Sequence, residues 1–121
     1  MENPVRLVRV GTDCSGIETP LVELEDLNLD ATHTLSCERD PSLRDLITKR
    51  VHPFKIYEDM TKRNNKVPCF AEQDIEFYID GLACKSFSAA GKHLGMFDPT
   101  DGGRGNLFAH ALDFIDRRRP L

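Results

Sequence analysis

Strand-like and helix-like segments alternate along this chain, and this alternation limits its folds more than any other feature. A β-branched run that stops at Gly11 predicts a first strand, and leucines at helical spacing predict a helix over 18–27. An extended segment over 31–37 precedes Asp40-Pro41-Ser42, which is typical of a helix N-cap with proline at the first helical position. Strands that alternate with helices favour a parallel sheet with right-handed crossovers. The sequence therefore predicts an open, Rossmann-like α/β fold, with helices on both faces of the sheet.

The second half of the chain continues the pattern. We predict a third strand over 54–57, a fourth over 75–79 and a closing helix over 106–118. Sheets of this kind bind ligands outside the carboxyl ends of their strands. The segments that follow the four strands are 11–19, 37–40, 58–61 and 80–88. We therefore expect the functional residues to lie along one edge of the sheet.

Composition indicates an ordinary intracellular protein. The 121 residues are enough for one domain, which we expect to span 1–121, and no apolar run approaches the roughly 20 residues that cross a bilayer. The residues after Met1 lack the pattern of a secretory signal, so we expect an intracellular location, the nucleus in a eukaryote or the cytoplasm in a bacterial or viral setting. Four irregularly spaced cysteines, without a C-x-x-C pair, predict neither a metal site nor a disulfide framework.

Charge excludes a uniformly basic nucleic-acid-binding body, because the net charge is -4 and the pI is near 5.5. Two short basic runs, 62–66 and 117–119, could hold DNA locally or could be solvated surface. We take solvated surface as the simpler interpretation of both runs.

Acidic residues follow the second and third predicted strands. Glu38 lies about twenty residues beyond the first turn, where nucleotide-binding sheets place an acid that accepts ribose hydroxyls. The alternative is a surface ion pair with Arg39 or Arg44. Asp59 is placed to accept a hydrogen bond from an exocyclic amine, and the alternative is a turn or cap aspartate. The first turn itself, 11–19, has two glycines but no G-x-G-x-x-G signature.

Cys84 lies on a predicted loop of small and polar residues that opens after the fourth strand. A nucleophilic thiol needs an electropositive setting, because an unperturbed pKa near 8.5 leaves little thiolate at neutral pH. Lys85 and Lys92 are near enough in sequence to help supply one. The other three cysteines are expected to be small buried apolar groups.

Five blocks, taken in order, resemble the N-terminal half of the cytosine-5 DNA methyltransferases. The blocks are Asp13-Cys14-Ser15-Gly16-Ile17-Glu18-Thr19, similar to F-x-G-x-G; Cys37-Glu38-Arg39-Asp40; Tyr57-Glu58-Asp59-Met60-Thr61; 80–91, similar to G-x-P-C-Q-x-F-S-x-A-G; and Asp98 with 104–108, similar to D-x-R-G-x-L-F. The resemblance implies the methyltransferase form of the Rossmann-like fold, with an incomplete parallel sheet, and it implies S-adenosylmethionine as cofactor and DNA as substrate.

The resemblance also implies roles for individual residues. Cys84 would add to carbon 6 of a flipped cytosine, so that carbon 5 accepts the methyl group before elimination. The residues implied to hold the cofactor are Cys14, Ser15, Gly16, Ile17, Thr19, Glu38, Arg39, Asp59, Met60 and Leu107. The residues implied to contact DNA are Ser86, Ser88 and Lys92.

Departures from the family pattern bear on activity. Ala83 replaces the proline of the Pro-Cys pair, and Cys14 replaces an aromatic residue that packs on the cofactor. No Glu-Asn-Val block is present, so the chain corresponds to a partial catalytic domain. Three alternatives follow: half of a split enzyme completed by a second polypeptide, an inactive cofactor-binding fragment, or a truncated form of an ordinary methyltransferase.

Overall fold

The structure is a computed structural model, and it describes residues 6–66, 74–82 and 104–120. Within these ranges the elements, in chain order, are β1 (Leu7–Asp13), α1 (Thr19–Asp26), β2 (Asp30–Cys37), α2 (Pro41–Arg50), β3 (Lys55–Tyr57), β4 (Phe77–Asp80) and α3 (Arg104–Arg118). The strands form one parallel sheet in the order β3-β2-β1-β4, which confirms the predicted α/β fold. Over the same ranges, no helix combines the length and apolar character that crossing a membrane requires.

The N-cap predicted for α2 is confirmed. Asp40 has an extended backbone, and its Oδ1 accepts hydrogen bonds from the N–H groups of Ser42 (2.8 Å) and Leu43 (3.2 Å). These bonds satisfy two of the donors that a helix start leaves without an intrahelical partner. Pro41 occupies the first turn, where its missing N–H has no consequence.

Helices cover both faces of the sheet. The steps β1 to β2 and β2 to β3 run in the same direction, so right-handed crossovers place α1 and α2 on one face. On the other face, Phe114 of α3 packs with Leu35, and Ala111 of α3 packs with Cys37. Burial of these side chains between helix and sheet is the main apolar contribution on the α3 face.

β1 does not stop at Gly11 as predicted but continues to Asp13. A side chain at position 11 would place its Cβ 3.0 Å from Ile75 Cδ1 and 3.3 Å from Leu35 Cγ. Gly11 is therefore suited to close packing within the strand, not to a turn. The consequence is that Thr12 and Asp13, which the sequence pattern assigned to a loop, are fully buried strand residues.

A bulge in β2 changes which side chains share a face. Val10 pairs with His33, whereas the next residue, Gly11, pairs with Leu35, so Thr34 is the extra residue in β2. The Thr34 hydroxyl donates to the Val10 carbonyl oxygen at 2.9 Å. Because of the bulge, His33 and Ser36 lie on the same face of the sheet although they are three positions apart.

Candidate cofactor site

The carboxyl ends of the four parallel strands lie at one edge of the sheet, as the sequence analysis expected. Backbone hydrogen bonds join the residues that leave these strands: Cys14 N–H donates to Cys37 O at 2.9 Å, and Gly81 N–H donates to Asp13 O at 2.9 Å. A Cβ at position 81 would meet the Cys14 carbonyl oxygen at 2.6 Å. Only glycine allows β4 to end this close to the first loop.

A pocket of about 340 Å³, counting the part open to solvent, lies at this edge. The residues that line it are Cys14, Cys37, Arg39, Glu58, Asp59, Met60 and Leu107. They come from three separate sequence blocks and from α3, so the fold, not chain proximity, brings them together.

Five of the ten residues predicted to hold the cofactor line this pocket: Cys14, Arg39, Asp59, Met60 and Leu107. Glu38 lies between two lining residues in the chain, Cys37 and Arg39, and its N–H donates to Tyr57 O at 3.0 Å. The remaining four, Ser15, Gly16, Ile17 and Thr19, occupy the loop after β1 and the start of α1 but do not line the pocket. Cofactor binding by all ten stays a prediction.

The apolar wall of the pocket is rich in sulfur. The Cys14 thiol donates to Met60 Sδ at 3.8 Å, and the Cys37 side chain packs in the same buried cluster. Burial, followed by the charges of Asp80 and Asp13, raises the pKa of Cys14 to about 12. Burial also raises the pKa of Cys37. Both groups are thiols at neutral pH, which agrees with the interpretation of these cysteines as apolar packing groups.

The acidic wall has an ionised carboxylate. Asp59 Oδ1 accepts hydrogen bonds from the Thr61 N–H (2.9 Å) and the Thr61 hydroxyl (2.6 Å). The hydroxyl bond is the main cause that lowers the pKa of Asp59. The two interpretations of Asp59 are therefore compatible, since the residue shapes a turn and also faces the pocket.

Glu38 does not form the surface ion pair that the alternative interpretation offered with Arg44. Glu38 Oε1 accepts from the Asp40 N–H at 3.0 Å, while the Arg44 guanidinium donates to the Glu38 carbonyl oxygen at 2.9 Å. The carboxylate partner of Arg44 is Glu58, at 3.9 Å. The arginine thus holds the backbone that carries Glu38 at the end of β2.

The Ser15 hydroxyl, in the first loop, has a donor and an acceptor that no described residue uses. Ser15 Oγ is buried and has no hydrogen-bond partner in the part of the chain that the structure describes. A buried hydroxyl without a partner is unfavourable, and a ligand that carries polar groups would satisfy it. The sulfur-rich wall and the Asp59 carboxylate together present both apolar and polar surface to a ligand in the pocket, and the Ser15 hydroxyl lies in the adjoining loop.

A buried charged cluster lies under this edge, and nothing in the sequence predicted it. We call it the α3-face cluster: Asp13, Arg63, Tyr78 and Asp80. Arg63 donates to both oxygens of Asp13, at 2.8 Å and 2.7 Å, and both side chains are 0% exposed. The Tyr78 hydroxyl donates to Asp13 Oδ2 at 2.5 Å and also lies 3.3 Å from Asp80 Oδ2. Burial lowers the pKa of Arg63, but the hydrogen bonds and charge of Asp13 outweigh it and raise that pKa.

The interpretation of the basic run 62–66 as solvated surface was wrong for two of its members. Arg63 and Asn65 are buried, whereas Lys62, Asn64 and Lys66 between and beside them are exposed. Asn65 Oδ1 accepts from Arg63 Nε at 3.1 Å, and its Nδ2 donates to Asp113 of α3 at 3.0 Å. No local signal in 62–66 distinguishes the two buried members from the three exposed ones.

The predicted nucleophile and DNA contacts lie outside the described residues. These are Cys84, Ser86, Ser88 and Lys92, together with the departure at Ala83. β4 ends at Asp80 and the chain continues through Gly81 to Leu82, which packs against the buried cluster of Cys37, Met60 and Ala111. Among the described residues, no three His, Cys, Asp or Glu side chains are grouped closely enough to hold a metal ion.

A parallel sheet in this strand order, with a pocket at its carboxyl edge, defines the class of Rossmann-like α/β proteins. The family described as C-5 cytosine-specific DNA methylase matches residues 13–121, and the chain belongs to that family. It is also similar to DNA (cytosine-5-)-methyltransferase DMT5 of Cryptococcus neoformans var. grubii serotype A, at 26% identity in an alignment 132 residues long that covers 95% of the chain. The chain spans 6% of the length of that relative.

Proposed function

We propose that this chain is a partial catalytic domain, spanning 1–121, of a DNA cytosine-5 methyltransferase, and that it binds S-adenosylmethionine in the pocket at the carboxyl edge. The observation that carries the proposal is the convergence of three sequence blocks on that pocket. Cys14 comes from the first block, Arg39 from the second, and Asp59 and Met60 from the third. A ligand site in a sheet of this kind requires that residues from separate blocks line one pocket at the carboxyl ends of the strands.

Each wall of the pocket has a role in this proposal. Cys14, Met60 and Leu107 offer apolar surface to the adenine ring. The ionised Asp59 would accept a hydrogen bond from the adenine amine, and Glu38 would accept from the ribose hydroxyls. When bound, S-adenosylmethionine supplies an electrophilic methyl group.

The proposed nucleophile is Cys84, on the strength of the family membership. Its thiolate would attack carbon 6 of a cytosine flipped out of the duplex, which would make carbon 5 nucleophilic enough to gain the methyl group. The thiolate would then leave by elimination as carbon 5 loses its proton. Ser86, Ser88 and Lys92 would contact the DNA. The two described cysteines, Cys14 and Cys37, contain little thiolate because their pKa values are raised, so neither competes with Cys84 as a nucleophile.

Our second proposal is that a further polypeptide segment completes this domain, and exposed apolar groups on β4 and α3 support it. In the described ranges β4 pairs with β1 alone, and Phe77 of β4 is 42% exposed. On α3, Leu112 and Ile115 are 47% and 41% exposed. A further strand and helix, from a second polypeptide or from more of the same protein, would cover these groups.

Calorimetric titration with S-adenosylmethionine tests the binding proposal. We expect wild type to bind and Asp59→Asn to bind at least about tenfold more weakly, because a hydrogen bond to a charged group contributes roughly 1.5 to 3 kcal/mol. Asp45→Asn, on the exposed side of α2, is the matched control and leaves the affinity unchanged. No heat with wild type, or equal affinity of wild type and Asp59→Asn, would contradict the proposed site.

Trapping on DNA that contains 5-fluorocytosine tests the nucleophile. The protein is used together with whatever polypeptide supplies the remaining catalytic blocks, in the presence of S-adenosylmethionine. We expect a covalent adduct with wild type and none with Cys84→Ser, because fluorine at carbon 5 blocks the elimination step. An adduct that persists in Cys84→Ser, or its absence in wild type, would remove Cys84 from the mechanism.

A further inference from the structure

Glu18 occupies a backbone conformation that suits glycine. Counted along F-x-G-x-G from Cys14, it stands at the final glycine of the motif. Its backbone angles are φ 63 and ψ 40, in the left-handed region. A residue with a Cβ is disfavoured there, so something else in the structure must hold Glu18 in this state.

The Glu18 side chain is fully buried and reaches two strands. Its Oε1 accepts hydrogen bonds from the Thr12 hydroxyl of β1 at 2.8 Å and from the Ser36 hydroxyl of β2 at 2.6 Å. Glu18 is the N-cap residue of α1, but its side chain makes no capping hydrogen bond. The carboxylate therefore ties the end of the loop to the sheet and not to its own helix.

His33 completes this arrangement, which we call the α1-face cluster: Thr12, Glu18, His33 and Ser36. His33 Nε2 lies 2.9 Å from Thr12 Oγ1. Because the single hydroxyl hydrogen of Thr12 goes to Glu18, the Thr12 oxygen accepts from His33, which assigns the Nε2–H tautomer. Burial lowers the pKa of His33, so the ring is neutral at pH 7 and Glu18 relies on the two hydroxyls.

The loop between these anchors carries the candidate cofactor residues. At its start the Cys14 N–H donates to Cys37 O at 2.9 Å, and at its end the Glu18 N–H donates to Ser15 O at 3.3 Å. Cys14 lines the pocket, and the buried hydroxyl of Ser15 has no hydrogen-bond partner among the described residues. A displacement of Glu18 would therefore move the pocket wall.

We propose that Glu18 is a positioning residue that holds the loop 14–17 in its ligand-receiving conformation. Glycine would adopt the left-handed backbone because it has no Cβ, whereas Glu18 is held in that conformation by hydrogen bonds from β1 and β2 to its carboxylate. The part of this proposal that concerns the ligand rests on the proposed function. Glu18 itself touches strands and not the cofactor, and it acts through Cys14 and Ser15.

Two substitutions separate the anchor from the backbone conformation. Glu18→Gly allows the left-handed angles without strain but removes both hydrogen bonds, whereas Glu18→Gln keeps an oxygen that accepts from Thr12 and Ser36. Asn28→Gly is the matched control, because Asn28 is exposed and also left-handed, at φ 57. The readouts are calorimetric affinity for S-adenosylmethionine and hydrogen exchange of the Cys14 amide, both measured well below the midpoint of thermal unfolding.

We expect Glu18→Gly to bind about tenfold or more weakly and to exchange the Cys14 amide faster, while Glu18→Gln and Asn28→Gly stay within about threefold of wild type. A merely structural role would lower the unfolding midpoint and leave affinity at low temperature unchanged. Wild-type behaviour of Glu18→Gly in both readouts, or equal losses in Glu18→Gln and Glu18→Gly, would overturn the proposal. If wild type does not bind S-adenosylmethionine, the proposed function fails, and the exchange rates alone decide whether Glu18 anchors the loop.

Discussion

Two buried polar clusters lie on opposite faces of the sheet, and consecutive residues at the end of β1 lead into them. Thr12 belongs to the α1-face cluster and Asp13 to the α3-face cluster. The α3-face cluster balances a carboxylate with the guanidinium of Arg63, which also lies over the Phe114 ring at 4.3 Å. In the α1-face cluster two hydroxyls donate to Glu18 Oε1 and a neutral imidazole lies beside them, while Glu18 Oε2 is buried without a hydrogen-bond partner among the described residues.

The difference shows two ways to bury a carboxylate. A full opposite charge gives a strong attraction, but each partner leaves a costly unpaired charge when the other is removed. Two hydroxyls donate weaker bonds to one oxygen of Glu18, so the loss of one donor leaves the other in place. We therefore expect the α3-face cluster to be the more sensitive of the two to a single substitution.

The largest effect is expected from Arg63→Met. It leaves Asp13 buried without its cation, which costs about 3 to 5 kcal/mol of unfolding free energy. Urea unfolding measures the change, and Lys62→Met at the exposed neighbouring position is the control, with an effect within about 0.5 kcal/mol. In the double variant Arg63→Met with Asp13→Leu we expect part of the stability to return. A loss below about 1 kcal/mol for Arg63→Met would show that the ion pair is not what supports this face.

A smaller effect is expected from Ser36→Ala in the α1-face cluster. The substitution removes one of the two hydroxyl donors to Glu18, at a cost of about 1.5 to 3 kcal/mol in the same urea measurement. Ser42→Ala, at an exposed position of α2, is the control. If Ser36→Ala cost more than Arg63→Met, the ranking of the two clusters would be reversed.

The smallest effect is a pH dependence with opposite signs on the two faces. Burial, followed by the charge of Asp13, raises the pKa of Asp80 from 3.8 to about 7. The folded state then holds a proton that the unfolded state releases, so this group's contribution is present below about pH 4 and is lost as the pH rises through about 7. For His33 the folded pKa is lowered, so its contribution is present above about pH 6.5 and is lost as the pH falls.

Unfolding free energies of Asp80→Asn and His33→Gln, compared with wild type between pH 4.5 and pH 8, separate the two contributions. As the pH rises across this range, the unfolding free energy of Asp80→Asn should increase relative to that of wild type by about 1 to 2 kcal/mol. The partial exposure of Asp80 keeps this amount small. The unfolding free energy of His33→Gln should instead increase relative to that of wild type as the pH falls. Parallel pH curves for wild type and Asp80→Asn would show that Asp80 does not titrate differently in the two states.

The strand ends were predictable, and the charges beneath them were not. Asp59 and Glu38 follow strands in the sequence, and the rule that parallel strands present their carboxyl ends at one edge was enough to place both beside the pocket. Arg63 stands in a run that looks solvated, because nothing local indicates that its partner lies 50 positions away. Gly11 was taken for a turn, because a glycine that allows close packing has the same local signature.

By itself, the sequence determined the alternation of strands and helices, the Asp40 cap and the motif blocks, because periodicity, capping and motif order depend on residues close in the chain. The tertiary structure alone decided that Asp13 meets Arg63, that a bulge at Thr34 brings His33 and Ser36 to one face, and that Glu18 is a buried anchor. These outcomes depend on which faces are desolvated when distant segments pack, and a burial of that kind leaves no periodic mark in the chain.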